Sequence, residues 1–369
     1  MNVARRIASR PHSLAVLATA LMMSACGRED ADGGVAPDVA GVVAPAAAPA
    51  PPRHRIYVTN EMSGDMTVIE GDTHRVLATV PLGKRPRGIQ ASPDGRQLFV
   101  ALSGTPIAGP EVDRSALPAA DPTADGIGVV DVATLTLSRV IRGVSDPEQL
   151  VVSPDGKRLY IASEDSGEAV ILDVVSGKQI AKVAVGGEPE GVGISPDGRF
   201  VYVTSEEHHQ VSVIDTQSER VVKQFGVGQR PRQAAFTPDG ARAYVTGETD
   251  GTVSVVDTST HSVIHTIRLG GDLVRPMEVD IAPDGQWAFV TTGRGGTVVA
   301  IDVASHEPKR TVAVGQRPWG LALSPDGARL YTANGPSNDV SIVDVATFRV
   351  AATVAAGTRP WGVVVVPVD

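Results

Sequence analysis

The sequence predicts an all-β protein, a seven-bladed β-propeller built from four-stranded antiparallel blades. The first observation is a turn of Ser, Thr or Ala followed by Pro-Asp-Gly, which occurs six times. The second is an aromatic residue that opens a β-rich segment shortly after each turn, with a seventh near the amino end. Most of these aromatic residues are 42 residues apart, namely Tyr57, Phe99, Tyr160, Tyr202, Tyr244, Phe289 and Tyr331. A period near 42 is that of one propeller blade.

One unit shows how each blade is built from its residues. The predicted strands of this unit are 191–195, 200–204, 211–214 and 221–225. A Pro-Asp-Gly turn joins the first two strands, because proline presets φ and glycine accepts a positive φ. The third strand alternates apolar and polar residues, which is typical of a half-buried strand. Asp215 follows it, and because an aspartate recurs there in nearly every blade we interpret it as a turn cap, not a catalyst.

The two ends of the chain together supply one complete blade. Residues Pro360–Pro367 resemble a first strand only, whereas the segment from Arg55 onward supplies a second, third and fourth strand. A blade closed by one carboxyl-terminal strand and three amino-terminal strands leaves no open sheet edge. Residues 54–369 are therefore predicted to be a single propeller domain, although a length of 369 residues alone suggests two or three domains.

The amino terminus has the layout of an export signal. Basic residues precede an apolar run from Leu14 to Met23, and small residues lead to Cys26, the only cysteine. We predict a lipoprotein-type signal peptide at 1–25, lipidation at Cys26 and a flexible Ala/Pro/Gly tether at 26–53. The alternative is an ordinary secretory signal with a chance cysteine, since Met23 stands where lipoprotein signals prefer Leu. The predicted location is the periplasm or cell surface, with membrane contact through the lipid anchor only.

The repeats resemble those of the YVTN-family β-propellers, which are exported bacterial proteins. The family motif occurs as Tyr57-Val58-Thr59-Asn60 and, with one difference, as Tyr202-Val203-Thr204-Ser205. The resemblance covers roughly residues 54–369. Asp146-Pro147-Glu148, Glu188-Pro189-Glu190-Gly191 and Arg317-Pro318-Trp319-Gly320 are similar to loops of propellers associated with PQQ-dependent catabolism. The resemblance implies an exported accessory or binding protein.

One blade contains an insertion. The spacing between Phe99 and Tyr160 is 61 residues, which leaves 19 residues more than a standard blade, within 103–126. The insertion holds four prolines and several charged residues. A long loop on a regular scaffold is a functional candidate, and a neutral surface insertion is the alternative.

The loops that lead from each fourth strand to the next first strand vary from blade to blade. Each carries a charged residue, a proline and then a variable residue, which we predict to ring one mouth of the central channel. These residues are Arg87, Glu148, Glu190, Arg232, Met277, Trp319 and Trp361. The turns between second and third strands lie on the same face, and their predicted rim residues are Glu61, Glu164, Glu206 and Glu248.

Variation on a uniform repeat indicates a binding surface, and the two tryptophans on adjacent blades could anchor a ligand. The alternative is structural: the Arg-Pro-Trp-Gly segments pack between blades, and Glu148 and Glu190 form ion pairs with Arg87 and Arg232.

The sequence therefore predicts a non-catalytic binding or scaffold module, a monomer with an unknown protein or small-molecule partner in the cell envelope. We predict no catalytic residue, no cofactor and no metal site, since there is no Gly-x-Ser-x-Gly elbow and the adjacent His208 and His209 offer only adventitious metal binding. A net charge of −9 argues against nucleic-acid binding. The alternatives are a metal-dependent lactonase- or lyase-like hydrolase, and an accessory to periplasmic electron transfer or quinoprotein oxidation. No Cys-x-x-Cys-His haem attachment is present, and three tryptophans are few for a quinoprotein dehydrogenase.

Overall fold

The computed structural model describes residues 53–107, 115 and 117–368. The predicted signal peptide, Cys26, nearly all of the tether and part of the insertion lie outside these residues. In the described part, 28 strands form seven separate four-stranded antiparallel sheets. One short 3-10 helix, Gly293–Gly295, lies among them. The predicted all-β, seven-bladed propeller is thereby confirmed.

The blades follow one another along the chain. Blade 1 contains β1 (His54–Asn60), β2 (Asp65–Glu70) and β3 (Val76–Pro81). Blade 2 contains β4 (Pro86–Ala91), β5 (Gln97–Leu102), β6 (Gly126–Asp131) and β7 (Thr136–Ile141). Blade 3 contains β8 (Pro147–Val152), β9 (Arg158–Ser163), β10 (Glu168–Asp173) and β11 (Gln179–Ala184). Blade 4 contains β12 (Pro189–Ile194), β13 (Phe200–Ser205), β14 (Gln210–Asp215) and β15 (Arg220–Gly226).

Blade 5 contains β16 (Pro231–Phe236), β17 (Arg242–Gly247), β18 (Thr252–Asp257) and β19 (Ser262–Arg268). Blade 6 contains β20 (Val279–Ile281), β21 (Trp287–Thr291), β22 (Thr297–Asp302) and β23 (Glu307–Ala313). Blade 7 contains β24 (Pro318–Leu323), β25 (Arg329–Asn334), β26 (Asp339–Asp344) and β27 (Arg349–Ala355). The last strand, β28 (Pro360–Pro367), returns to blade 1.

Blade 1 is closed by the two ends of the chain. Strand β28 pairs antiparallel with β1, so that Tyr57 lies opposite Val364 and Arg55 opposite Val366. The first strands of neighbouring blades, such as β24, β28 and β4, lie side by side and surround the channel. The predicted closure by one carboxyl-terminal strand is confirmed, and it hides both edges of β1.

The core lies between the blades. The seven repeated aromatic residues are all buried, and they pack against apolar residues of adjacent sheets. Tyr57 of β1, for example, belongs to a cluster that includes Leu98 and Val100 of β5 in the next blade. The aromatic that marks each repeat is therefore the residue that joins one blade to the next.

The recurring aspartates act as turn caps, as predicted. The Asp215 carboxylate accepts a hydrogen bond of 2.8 Å from the Ser218 backbone N–H, and that of Asp302 accepts one of 2.7 Å from the N–H of Ser305. The hydrogen bond from the Ser218 N–H lowers the pKa of Asp215. Among the described residues, no helix is long and apolar enough to cross a membrane.

Candidate functional site

A cavity of about 650 Å³ lies at the mouth of the channel, where the crossover loops meet the turns between second and third strands. We call this site the mouth. Ten of the eleven predicted site residues line it, namely Arg87, Glu148, Glu190, Arg232, Trp319, Trp361, Glu61, Glu164, Glu206 and Glu248. Met277 is buried beneath the mouth and borders a second, smaller cavity. The topology of the repeat thus brings together side chains that are far apart in sequence.

Arg232 occupies a cage of three carboxylates. Its side chain is only 9% exposed. Its Nη1 lies 2.5 Å from the Glu206 carboxylate and its Nη2 lies 2.6 Å from that of Glu248, while Glu190 forms a third ion pair. Burial raises the pKa of Glu206 to about 8, while the charges of Arg232 and Arg230 act in the opposite direction.

Arg87 occupies a similar cage on blades 2 and 3. Its Nη2 lies 2.5 Å from the Asp146 carboxylate, and it also pairs with Glu148 and, at 3.6 Å, with Glu164. Burial raises the pKa of Glu164 to about 7. The ion pairs expected between Arg87 and Glu148 and between Arg232 and Glu190 are therefore present.

The three carboxylates around Arg87 are also a candidate set of metal ligands. Ligand oxygens of Asp146, Glu148 and Glu164 lie within 4.8 Å of one another, and carboxylate oxygens suit a divalent cation. The guanidinium of Arg87 is already paired with all three carboxylates. A metal ion would have to displace this buried cation, so these residues do not fit one as they stand.

Trp319 and Trp361 stack on each other across blades 7 and 1. Their ring centroids are 5.5 Å apart and the ring planes differ by 24°. Trp361 is only 6% exposed, whereas Trp319 is half-buried. The guanidinium carbon of Arg317 lies 5.0 Å from the Trp319 ring centroid and that of Arg232 lies 5.4 Å from it. The tryptophans form a packed aromatic wall that supports two arginines, which agrees with the structural alternative for these segments.

Threonines on four second strands bind the mouth residues of the next blade. Thr291 of β21 accepts a hydrogen bond of 3.0 Å from the Glu278 N–H and donates one of 2.7 Å to the carbonyl of Trp319. The equivalent threonines on blades 1, 4 and 5 donate to the carbonyls of Arg87, Arg232 and Met277, and they are Thr59, Thr204 and Thr246. The recurrence of threonine two residues after the aromatic is the sequence signal for these contacts.

Thr291→Val should destabilise the protein by about 1–3 kcal/mol, because it leaves a partly buried N–H and a partly buried carbonyl without their partner. Urea unfolding should show a lower midpoint with an unchanged slope. Thr332→Val is the matched control: Thr332 is equally buried but makes one side-chain hydrogen bond, to Asn334. Equal midpoints for Thr291→Val and the wild type would contradict the bridging role.

The described part of the insertion borders the mouth, a position not among the predicted site residues. Thr105, Pro106, Ile107, Leu117 and Pro118 line the cavity. Elsewhere in the described part of the loop, the buried Asp125 carboxylate accepts hydrogen bonds from the backbone N–H groups of Gly104, at 2.7 Å, and Asp146, at 3.1 Å. The signal was available, because the insertion lies in a second-to-third turn and therefore on the mouth face.

Further polar residues lie beneath the mouth. Gln149 donates a hydrogen bond of 3.3 Å to Glu278, whose pKa burial raises to about 8. The adjacent histidines brace the loops: His208 Nδ1 accepts from the Gly187 N–H at 2.9 Å, and His209 Nδ1 accepts from the Arg230 N–H at 3.2 Å.

Comparison with solved structures supports the fold. A hydrazine synthase from Kuenenia stuttgartiensis matches with a TM-score of 0.68 and 21% identity, over 79% of this chain and 92% of that one. A functionally unknown protein from Desulfotomaculum acetoxidans matches with a TM-score of 0.69 and 15% identity, over 85% and 99%. A putative 6-phosphogluconolactonase from Bacteroides fragilis matches with a TM-score of 0.68 and 17% identity, over 86% and 98%. At these identities the likeness shows the fold alone.

Comparison with protein families is more specific. Residues 215–355 match the family described as lactonase, 7-bladed beta-propeller, and residues 41–234 match the choice-of-anchor I domain. No curated protein matches the chain. Because the second match spans more than half of the 369 residues, the chain belongs to the choice-of-anchor I domain family.

Proposed function

We propose that this protein is a binding protein of the cell envelope that holds a small polar molecule in the mouth. The observation that carries the proposal is the charge collected there: among the described residues, ten carboxyl groups and seven guanidinium groups line one cavity. Burying charged groups is costly, and apolar residues of similar volume often stabilise a fold as well or better. The cost of these charges is most simply explained by a ligand that they recognise.

The size and setting of the mouth support a small-molecule ligand. A volume of about 650 Å³ lies in the range of small-molecule sites. The crossover loops vary, whereas the opposite end of the propeller carries the repeated Pro-Asp-Gly turns. The signal peptide at 1–25, the tether and lipidation at Cys26 are part of the proposal, because they would hold the propeller in the periplasm or at the cell surface.

Native mass spectrometry tests the proposal with small molecules extracted from the cell envelope. The wild type should retain a bound mass, and Trp319→Leu should weaken its retention about ten-fold or more, because Trp319 supports two mouth arginines. Trp287→Leu is the matched control. Trp287 begins β21 at the opposite end of its blade and contacts Arg310 instead, with 5.2 Å between the guanidinium carbon and the ring centroid. Equal retention by all three proteins, or retention by none, would refute the proposal.

Lactone hydrolysis is a second candidate. The match of residues 215–355 to the lactonase family favours it, as does the raised pKa of the Glu206 carboxyl, which lines the cavity and could act as a general acid. Hydrolysis would add the oxygen of water to the lactone carbonyl carbon, break the ring ester bond and place a proton on the leaving oxygen. Acid release from a panel of γ- and δ-lactones, lost in Glu206→Gln, would support this activity. If no lactone of the panel releases acid, lactone hydrolysis is ruled out as the second candidate.

A further inference from the structure

The charges of the mouth are segregated between its two sides. On blades 3 and 4 the charged residues ahead of the crossover prolines are acidic, Asp146 and Glu188. On blades 7 and 1 they are Arg317 and Arg359. The mouth therefore has an acidic side and, across the channel, a basic side.

The turns between second and third strands strengthen this asymmetry. Four blades place a rim glutamate directly after the second strand, whereas blades 6 and 7 have Gly293 and Gly335 at that position. Blade 6 then adds Arg294, which also lines the cavity. Blades 6 and 7 thus lack a rim carboxylate on the side of the mouth where Arg294 and Arg317 lie.

The arginines on the basic side have few partners. Among residues 53–107, 115 and 117–368, no carboxylate oxygen lies within 4.0 Å of a guanidinium nitrogen of Arg294 or Arg317. Arg359 lies 3.6 Å from Glu61, but Glu61 is bound more closely by Arg85, at 2.9 Å. Arg87 and Arg232, in contrast, each have three carboxylates.

The arginines on the basic side also repel one another. Burial lowers the pKa of Arg317, and the nearby positive charges of Arg359, Arg232 and Arg294 lower it further, while the Glu248 carboxylate acts in the opposite direction. An arginine remains charged at any physiological pH, so the repulsion is not relieved by loss of a proton. A bound anion would relieve it.

Trp319 holds the central arginine in place. The Arg317 guanidinium lies over the Trp319 ring, and the stack with Trp361 fixes that ring in turn. A guanidinium held by an aromatic ring loses little conformational freedom on binding, and its planar fork matches the two oxygens of a carboxylate or phosphate.

We propose that Arg294, Arg317 and Arg359 form an oxyanion subsite of the mouth, which binds a carboxylate or phosphate group of the ligand. The inference rests on the proposed function and names the chemical class of the molecule that the mouth takes. The acidic side, which the paired Arg87 and Arg232 flank on blades 2 and 5, faces the remainder of the ligand.

Isothermal titration with defined probes tests the subsite. Inorganic phosphate and citrate represent the two oxyanion types, and putrescine and glucose represent a cation and a neutral polyol. We expect saturable binding of at least one oxyanion, and the tighter of the two identifies the preferred group. Arg317→Gln should weaken that binding about ten-fold or more with an unchanged melting temperature, because a charge-assisted hydrogen bond is lost.

Two further variants serve as a control and as a replacement for Arg317→Gln. Arg96→Gln is the control, since Arg96 is 85% exposed beside a Pro-Asp-Gly turn at the opposite end, and it should bind as the wild type does. If Arg317→Gln lowers the melting temperature, Arg294→Gln replaces it, because Arg294 is exposed.

Three outcomes would overturn the subsite: equal oxyanion affinity in the arginine variants and the wild type, binding of putrescine or glucose alone, or no binding of either oxyanion. The native mass spectra then decide separately whether the mouth binds a ligand at all.

Discussion

A chain that ends at Arg359 should fail to form a stable propeller. It lacks β28, the innermost strand of blade 1, and leaves one edge of β1 unpaired. The buried residues Ile56 and Val58 of β1 would then face water. We expect a loss of about 5 kcal/mol or more in the free energy of unfolding, which is comparable with the total stability of many domains.

Urea unfolding followed by circular dichroism measures this loss. A chain that ends at Pro367 is the control, because it keeps β28 and, among the described residues, gives up one backbone hydrogen bond, between the Val368 N–H and the Arg53 carbonyl. The control should unfold within about 1 kcal/mol of the wild type. A chain ending at Arg359 that unfolds at the wild-type urea concentration would show that the ring does not depend on its closing strand.

Arg232→Met should cost about 3–5 kcal/mol at pH 8, because it leaves the carboxyl groups of Glu190, Glu206 and Glu248 without their shared cation. The cost should be smaller at pH 5. The folded-state pKa of Glu206, about 8, lies above its ordinary value of 4.5. The contribution of its protonated form to the free energy of unfolding is therefore fully present below pH 4.5 and is lost as the pH rises toward 8. In Arg232→Met, the free energy of unfolding should fall more over this pH range than it does in the wild type.

Arg242→Met is the matched control for this prediction. Arg242 pairs with Asp257 at 3.3 Å, but its side chain is 37% exposed, so water screens the pair. We expect a change within about 1 kcal/mol at both pH values, measured by the same unfolding experiment. Equal losses in the free energy of unfolding for Arg232→Met and Arg242→Met at pH 8 would contradict the view that Arg232 is the shared cation of the three carboxyl groups.

The fold could be predicted from the sequence because its signals are local and repeated. A Pro-Asp-Gly turn and a buried aromatic recur in the units, and the lone strand at Pro360–Pro367 has only one place to pair. Topology also predicted which side chains meet at the mouth, since it places every crossover loop at one end of the propeller.

The properties of the mouth could not be predicted in the same way, because they depend on contacts between blades. Arg87 and Asp146 are 59 residues apart, and only the ring brings them within 2.5 Å. The burial that raises the pKa of Glu206 and the stacking that encloses Trp361 likewise have no periodic signal. Comparing the blades position by position would have shown that Gly293 and Gly335 replace rim glutamates, and hence where the basic side lies.

Hydrogen exchange most directly tests the central claim, that the variable mouth is the binding surface of this propeller. The exchange of backbone amides is compared with and without the small-molecule extract of the cell envelope. We predict slower exchange in the crossover segments 316–320 and 358–362, with no change in the Pro-Asp-Gly turn at 325–327. Protection of the Pro-Asp-Gly turns, with no change at the crossovers, would contradict the claim.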